Sequence, residues 1–305
     1  MTEKLNGPVP DEIQCLLEVI LPKWGNGVMA ALFYGSCLRT GVFFNNVVDF
    51  YLIVDDLKVY KSSFFALLNK LLPPNVFYVE VPFNGNMLRA KYGIFTLVQF
   101  KKMASKNAFH PYLWSRLVQP MRIVYSQNIK VEDEIIRSVY TSTATLITNV
   151  VPLLKGRFGI RELWLKAFSL TYKTEIRPEQ KGNIVNLYTD NEEFLDFLAD
   201  QVLDLLPYPI EETKSDTNNY YSIMITQYIR YISIIKWFFR IVYGKILSPA
   251  RLLKSLFTFE NALSYGFYKL SKHTPNVVIP DIFRKNLFFS CMYLFLIGIK
   301  RKIFK

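Results

Sequence analysis

The sequence predicts an α/β fold (α+β in the order of its elements), with a mixed β-sheet in the first part of the chain and helices after it. Three observations predict this organisation. Short apolar runs of strand length alternate with amphipathic helical stretches as far as about residue 95. From residue 132 onward, apolar residues recur at helical spacing alone. Beyond residue 210 the chain becomes basic and rich in aromatic residues, which predicts a basic amphipathic C-terminal segment.

The sheet-forming part begins with a helix over residues 11–23, in which apolar residues recur at helical spacing until Pro22 and a Gly-Asn-Gly cluster end it. An amphipathic helix over residues 58–72 ends at Pro73-Pro74. Four apolar runs predict strands, namely Met29–Tyr34, Val47–Val54, Val76–Val81 and Arg89–Phe95. We expect helices to cover one face of the resulting mixed sheet.

The second part of the chain is predicted to be helical. The helices are Glu132–Val151, Arg161–Leu170, Glu192–Leu206 and Tyr220–Leu247. A polar and basic loop is expected over Tyr172–Asn183, and a linker over the proline-containing stretch Pro207–Asn219. We therefore divide the chain into a sheet domain (residues 1–125), a helical domain (residues 126–210) and a basic, membrane-associating helical region (residues 211–305).

The composition excludes several classes of protein. With 51% hydrophobic and 20% charged residues, the 305-residue chain is neither disordered nor a coiled coil. Its three cysteines and two histidines are too few for a disulfide framework or a structural zinc site, so we expect a reducing compartment. No Gly-x-x-x-x-Gly-Lys and no Gly-x-Gly-x-x-Gly motif is present, which argues against a P-loop kinase and a Rossmann enzyme.

The positive charge is concentrated at one end of the chain. The net charge is +12, and residues 236–305 hold 13 of the 37 lysines and arginines but two of the 25 acids. Because this stretch is also apolar, it predicts binding to an anionic membrane surface and no binding to nucleic acid. Its longest uncharged run, Asn286–Ile299, reaches about 21 Å as a helix, short of the roughly 30 Å of a bilayer core. We expect this run to be interfacial or re-entrant rather than spanning; the alternative is a final core helix with a basic fringe.

A strand, a Gly-Ser turn and an acid on the next strand form the strongest local motif. Phe33-Tyr34-Gly35-Ser36 ends the first predicted strand, and Asp49 follows at the start of the second. Polymerase-β-type nucleotidyltransferases build their site in this way, because glycine lets the backbone approach a triphosphate and the acid holds Mg²⁺. Alone the motif is weak, since any β-turn followed by a strand can produce it.

The motif departs from the general pattern at one position. The position two after Asp49, where a second metal-binding acid is usual, is Tyr51. Asp55 shares the face of Asp49 but lies about 20 Å further along a straight strand, so it cannot bind the same ion. Glu80, the one charge in the next apolar strand, is the better candidate for a second ligand, and its alternative is a solvent-facing residue of an edge strand.

Five segments of the sequence, taken in order, form one pattern. They are Phe33-Tyr34-Gly35-Ser36, Val48-Asp49-Phe50 running into Val54-Asp55-Asp56, Lys91-Tyr92-Gly93-Ile94, Ser115-Arg116-Leu117-Val118-Gln119-Pro120, and Leu170-Thr171-Tyr172 through Glu175-Ile176-Arg177. Together they resemble one family, the mitochondrial translocator assembly and maintenance proteins, which are the soluble-type CDP-diacylglycerol synthases (phosphatidate cytidylyltransferases). The resemblance covers about residues 10–206. The sequence departs from the family at three places. It has Ser and Gln for Gly and Lys in the fourth segment, Glu for Asp in the fifth, and Cys37 where many members have glycine.

The resemblance implies a polymerase-β-type nucleotidyltransferase domain, a winged-helix-like helical domain and an active site between them. It implies a Mg²⁺-dependent reaction of CTP with phosphatidic acid that gives CDP-diacylglycerol, a precursor of cardiolipin and phosphatidylglycerol, and pyrophosphate. It also implies a peripheral membrane protein, on the cytoplasmic face in a bacterium or on the matrix side of the mitochondrial inner membrane in a eukaryote. Residues 1–15 carry acids and no apolar stretch, so no targeting signal is expected.

The candidate residues take the following expected roles. Tyr34, Gly35 and Ser36 are expected to bind the nucleotide, and Asp49 to bind Mg²⁺ with Glu80 as the candidate second ligand. Lys91 is expected to contact a CTP or substrate phosphate, and Arg116 and Arg177 to clamp phosphates, with Glu175 in the same segment as Arg177. The catalytic set is Asp49, Lys91 and Arg116. For the two arginines the alternative is surface ion pairs. His110, next to a proline, is expected to be a solvated loop histidine without a role.

Two other functions compete with this prediction. One is a nucleotidyltransferase with a different acceptor, such as a nucleic acid or an aminoglycoside, which predicts basic residues around the cleft. Residues 1–235 are nearly neutral, with 24 lysines and arginines against 23 acids, and so disfavour it. The other is a catalytically inactive, membrane-bound scaffold of the same fold, for which the missing second acid is the argument.

Overall fold

A five-stranded mixed sheet lies at the centre of the computed structural model, which describes Leu5 and residues 7–175, 181–214 and 219–258. The strands are β1 (Val28–Tyr34), β2 (Val48–Val54), β3 (Asn75–Phe83), β4 (Asn86–Thr96) and β5 (Met121–Ser126), in the spatial order β3-β4-β2-β1-β5. β2 and β4 run parallel, and the other neighbouring pairs run antiparallel. The mixed α/β sheet predicted from the sequence is confirmed.

The order of the strands differs from their order along the chain. β3 and β4 form a hairpin through a turn at Asn84 and Gly85, both with positive φ, and it is β4 that pairs with β2. The sheet also has an edge strand, β5, that the sequence pattern did not predict. Its residues alternate between buried and half-buried rather than forming an apolar run, which is why it resembles a loop.

Helices cover both faces of the sheet, where the sequence predicted one covered face. On one face lie α1 (Asp11–Ile20) and α3 (Ser63–Leu71), packed against a buried cluster that includes Phe50 and Leu52. On the other face lie α4 (Leu97–Ala104) and α5 (Trp114–Leu117). The short helix α2 (Ser36–Thr40) follows β1 directly. The second face was not predicted because α4 and α5 lie in a stretch without long apolar periodicity.

The sheet and the helices that follow it share one hydrophobic core. Those helices are α6 (Ile129–Val150), α7 (Ile160–Lys173), α8 (Lys181–Thr189) and α9 (Glu192–Leu203). The buried cluster on the α4 side of the sheet continues without a break into residues of all four helices. α6, α7 and α9 match predicted helices, whereas α8 begins within the stretch predicted to be a loop.

A β-hairpin occupies the stretch that was predicted to be a linker. β6 (Ile210–Lys214) pairs antiparallel with β7 (Asn219–Ile223), and Phe158 and Tyr221 exchange two backbone hydrogen bonds of 3.0 and 2.9 Å. The prediction of a linker at Pro207–Asn219 was therefore wrong, because much of this stretch belongs to a short hairpin that packs on the helical part through buried Tyr221 and half-buried Ile210 and Ile223.

The last described element, α10 (Gln227–Thr258), is a 32-residue helix about 48 Å long. One face packs on the protein: Trp237 Nε1 donates to the carbonyl of Asn149 at 2.8 Å, and Thr258 Oγ1 donates to the carbonyl of Val76 at 2.8 Å. α10 thereby connects the helical part to β3, the edge of the sheet. Within the described residues, no helix is long and apolar enough to cross a bilayer. The apolar run Asn286–Ile299 lies outside the described residues.

Candidate active site

The turn after β1 brings Gly35 against the carboxylate of Asp49. β1 and β2 pair in a register that places Tyr34 opposite Asp49, so the next residue crosses the end of β2. Gly35 has φ +91° and ψ −163°, a backbone conformation that residues with a side chain rarely adopt. A Cβ added at Gly35 would lie 2.8 Å from Asp49 Oδ2. Only glycine fits this position without displacing the acid.

Lys91 completes a charged pair beside this turn. The parallel register of β2 and β4 aligns Asp49 with Lys91, and Lys91 Nζ lies 3.0 Å from Asp49 Oδ1. The side chain of Asp49 is 16% exposed and that of Lys91 is 38% exposed, so both remain accessible to a ligand. The structure therefore brings together Gly35, Asp49 and Lys91, three of the candidate residues: backbone pairing fixes Asp49 and Lys91, and Gly35 directly follows the last paired residue of β1.

Tyr51 fills the position at which a second acid was expected. It is 1% exposed, and its ring stacks on that of Tyr34 with centroids 4.2 Å apart. Gly93 makes room for it, because a Cβ on Gly93 would lie 3.3 Å from Tyr51 Cδ1 and 3.1 Å from Pro74 Cγ. Burial raises the pKa of both tyrosines well above its ordinary value, and the charge of Asp49 raises that of Tyr34 further. The pair is thus a neutral aromatic wall next to Asp49.

Arg116 and Glu175 form an ion pair close enough to this wall for the charge of Arg116 to act on both tyrosines. Arg116 lies on α5, and its Nη1 is 2.8 Å from Glu175 Oε1 and donates to the carbonyl of Tyr112 at 3.0 Å. Its guanidinium also lies over the Tyr112 ring, 4.1 Å from the centroid. Burial alone would lower the pKa of Arg116, but Glu175 and the neighbouring tyrosines raise it well above its ordinary value, so it stays charged. The two residues are not a surface ion pair, since each side chain is about one-quarter exposed.

Arg251 of α10 joins this cluster, which the sequence did not predict. Its guanidinium lies 4.2 Å from the centroid of the same Tyr112 ring. Burial lowers its pKa, and the charge of Arg116 lowers it further. The signal was present as spacing: Arg240, Gly244, Arg251 and Lys254 recur at intervals of four, seven and three residues, which places them on one face of a helix.

The structure does not bring Glu80 to Asp49. Glu80 lies on β3, which β4 separates from β2, and two strand spacings plus two residues put the two Cα atoms about 12 Å apart. Its carboxylate instead accepts from Arg89 Nε at 3.0 Å and from Tyr78 Oη at 2.8 Å. The expectation that it shares a metal ion rested on β3 being next to β2, and the strand order corrects it.

The other candidates have mixed outcomes. Ser36 is exposed at the start of α2 and accepts a hydrogen bond from Thr40 through its carbonyl. Arg177 lies outside the described residues. His110 is 7% exposed, and its Nδ1 accepts from the backbone of Tyr112 at 3.1 Å, so the expectation of a solvated histidine was wrong. It is buried because Gly244 of α10 packs directly over its Nε2.

One carboxylate is available for a metal ion at this site. Among the described residues, no group of three His, Cys, Asp or Glu side chains is arranged to hold a metal. Mg²⁺ is commonly bound through one or two carboxylates together with substrate phosphates and water. Asp49 fits a Mg²⁺ ion that shares its coordination with nucleotide phosphates, and does not fit an ion held by protein groups alone.

Comparison with known proteins adds little to this geometry. No protein-family model matches the chain, and no curated protein matches it. Among solved structures, the chain is similar to a nucleotidyltransferase-like protein from Exiguobacterium sibiricum, with 10% identity and a TM-score of 0.28 over 70% of this chain and 99% of that one. A similarity at this level carries no weight for fold or function.

Proposed function

We propose that the protein is a nucleotidyltransferase that transfers the cytidylyl group of CTP to phosphatidic acid, forming CDP-diacylglycerol and pyrophosphate. The observation that carries the proposal is the contact of Gly35 with Asp49, at a turn where only glycine leaves room for the acid. A backbone turn of this kind, next to a carboxylate and a lysine, suits a triphosphate with its Mg²⁺ ion. The resemblance of the motifs supplies the choice of CTP and phosphatidic acid.

The reaction needs positioning and charge neutralisation more than a strong base. An oxygen of the phosphatidic acid phosphate attacks the α-phosphorus of CTP, the bond from that phosphorus to the bridging oxygen breaks, and pyrophosphate leaves. The attacking phosphate is already anionic near neutral pH, so no proton has to be removed. Lys91, paired with Asp49, and Arg116, over the Tyr112 ring, supply two fixed cations that can hold phosphate charge.

Mg²⁺, when bound, neutralises charge on the nucleotide phosphates and so favours attack on the α-phosphorus. Asp49 is the residue that would hold it. Lys91 keeps the Asp49 carboxylate paired at 3.0 Å, and the turn at Gly35 holds the carboxylate in place from the other side.

A lipid acceptor is supported by the outer face of α10. Large apolar side chains stand exposed along it, including Tyr231 at 65%, Phe238 at 61%, Ile246 at 65% and Phe257 at 64%. An apolar stripe of this size on one helix suits the headgroup region of a membrane. The stripe and the basic residues beyond α10 are the grounds for proposing a peripheral, membrane-bound enzyme.

Pyrophosphate release is the assay that tests this function. Full-length protein is incubated with Mg²⁺, each of the four NTPs in turn, and phosphatidic acid or diacylglycerol in detergent micelles. We expect release with CTP and phosphatidic acid only, and at least a hundredfold lower rate for Asp49→Ala. Asp133→Asn, an exposed acid on α6, is the matched control and is expected to keep full activity.

Two other outcomes would each replace the proposal. Release with CTP and a different acceptor would identify a nucleotidyltransferase that does not act on phosphatidic acid. No release with any nucleotide, from protein that still binds anionic liposomes, would favour an inactive membrane scaffold, for which Tyr51 in place of an acid is the structural ground.

A further inference from the structure

Arg251 differs from the other basic residues of α10 because its guanidinium lies beside the candidate site, over the ring of Tyr112. Its Nε is buried and has no hydrogen-bond partner within the described part of the chain. The ion pairs among those residues do not include it, whereas Arg116, on the same tyrosine ring, is paired with Glu175. A buried N–H without a partner costs stability, so its presence calls for a ligand.

The charge around Tyr112 is unbalanced. Arg116 and Arg251 both lie within 4.2 Å of the ring centroid. Burial first, and then the charge of Arg251, lower the pKa of nearby Lys254 to about 7. Glu175 is the acid whose charge acts on both arginines. Two arginines that share one carboxylate leave an excess of positive charge beside the Tyr112 ring, which favours an anion with several oxygens.

We propose that Arg251 binds a phosphate group of a substrate, so that α10 contributes directly to the active site. The proposal deepens the proposed function, on which it rests for the identity of the substrates. The chemistry is a phosphate, which has two sources in that reaction, the triphosphate of CTP and the phosphomonoester of phosphatidic acid. The guanidinium plane suits either, because it donates two parallel hydrogen bonds to neighbouring phosphate oxygens.

The anchoring of α10 explains how a residue so far along the chain is placed there. On one side of Arg251, Arg240 Nε donates to the carbonyl of Phe109 at 3.0 Å, and Arg240 Nη2 donates to Asn149 Oδ1 at 2.9 Å. On the other side, Lys254 Nζ donates to the carbonyl of Pro74 at 2.6 Å. Because the helix is held on both sides of Arg251, it has little freedom to move this residue away from the ring.

The test compares Arg251→Gln and Arg251→Lys with Lys236→Gln, which removes one charge from an exposed position on the same helix. The affinity for CTP with Mg²⁺ is measured by titration calorimetry, and the KM for phosphatidic acid in micelles by pyrophosphate release. For Arg251→Gln we expect either the dissociation constant for CTP or the KM for phosphatidic acid to rise roughly ten- to hundredfold. Arg251→Lys is expected to give an intermediate value, and Lys236→Gln to leave both constants unchanged. A rise in the CTP constant assigns Arg251 to the nucleotide, and a rise in the KM assigns it to the acceptor.

Unchanged constants in both arms, for variants that melt at the wild-type temperature, would overturn the proposal. Arg251→Lys keeps the charge and guards against loss of folding in Arg251→Gln, since equal phosphate binding by folded Arg251→Lys and wild type would exclude a role for the guanidinium fork. Binding of inorganic pyrophosphate separates this proposal from the proposed function. If the wild type shows no transferase activity, weaker pyrophosphate binding by Arg251→Gln than by Lys236→Gln still supports a phosphate site, and equal binding refutes it.

Discussion

Replacing Gly35 by alanine is the sharpest test of the turn against Asp49. The backbone at Gly35 has φ +91° and ψ −163°, which costs about 1–3 kcal/mol for a residue with a side chain. The added Cβ would also lie 2.8 Å from Asp49 Oδ2 and 3.4 Å from Asp49 Cβ and Cγ. Because strand pairing fixes the backbone of Asp49, we expect the side chain to relieve this contact by rotating, which moves the carboxylate away from its position beside Lys91.

The two effects of the substitution are measured separately. A loss of about 1–3 kcal/mol lowers the melting temperature by roughly 2–10 °C, which calorimetry resolves. Displacement of the acid is expected to lower kcat/KM for pyrophosphate release by a hundredfold or more, because a misplacement of 1 Å at a reacting centre costs about that much.

Gly41→Ala is the matched control for the backbone term. Gly41 also has a positive φ, +66°, but a Cβ there would have no atom within 4 Å. We expect Gly41→Ala to lower the melting temperature and leave kcat/KM unchanged. If Gly35→Ala keeps the wild-type kcat/KM and melts no lower than Gly41→Ala, the proposed role of this turn is refuted.

Two further predictions concern the packing of α10. Gly244→Ala would gain up to about 1 kcal/mol of helix propensity, but its Cβ would overlap the carbonyl oxygen of Thr174. We therefore expect a net loss of about 1–3 kcal/mol in the free energy of unfolding and a lower melting temperature. A higher melting temperature would contradict this packing of α10. Burial first, and then the charges of Arg251 and Arg116, lower the pKa of His110 to about 3. Because the unfolded chain binds this proton from about pH 6.5 downward and the folded protein does not, His110 is expected to remove about 2 kcal/mol of stability between pH 7 and pH 5. Urea unfolding at both pH values checks this, and a His110→Gln variant with the same loss between them would show that another group is responsible.

Most of the sheet could be predicted from the sequence because its strands are buried on both faces. Such strands appear as continuous apolar runs, and four of the five were found within two or three residues of their ends. The order of the strands was not predictable in the same way, because pairing is decided by contacts between distant segments. The expectation for Glu80 failed for this reason: it treated a neighbour along the chain as a neighbour in the sheet.

The candidate site divides along the same line. Gly35 and Asp49 could be predicted because the turn that joins their strands is local and needs glycine. Arg116 and Glu175 were marked separately by motif, and the structure brings them into an ion pair 59 residues apart in sequence. Arg251 was missed because a basic residue in an apolar, aromatic stretch is typical of a membrane surface, and nothing local distinguishes one buried arginine from its exposed neighbours.

The fate of the cations on α10 changes how the charge asymmetry of the chain is interpreted. Of its six lysines and arginines, four place their charged ends against groups of the protein, namely Arg240, Lys245, Arg251 and Lys254. The exposed face of the helix is therefore apolar rather than basic, with Phe238 and Ile246 among its most exposed side chains. Apolar burial depends weakly on salt, whereas attraction of lysines and arginines to anionic lipid is screened by it. If the apolar face of α10 contributes to membrane binding, that share persists at high ionic strength, whereas a salt-sensitive share requires exposed cations, such as Lys236 of α10 or the basic residues beyond residue 258.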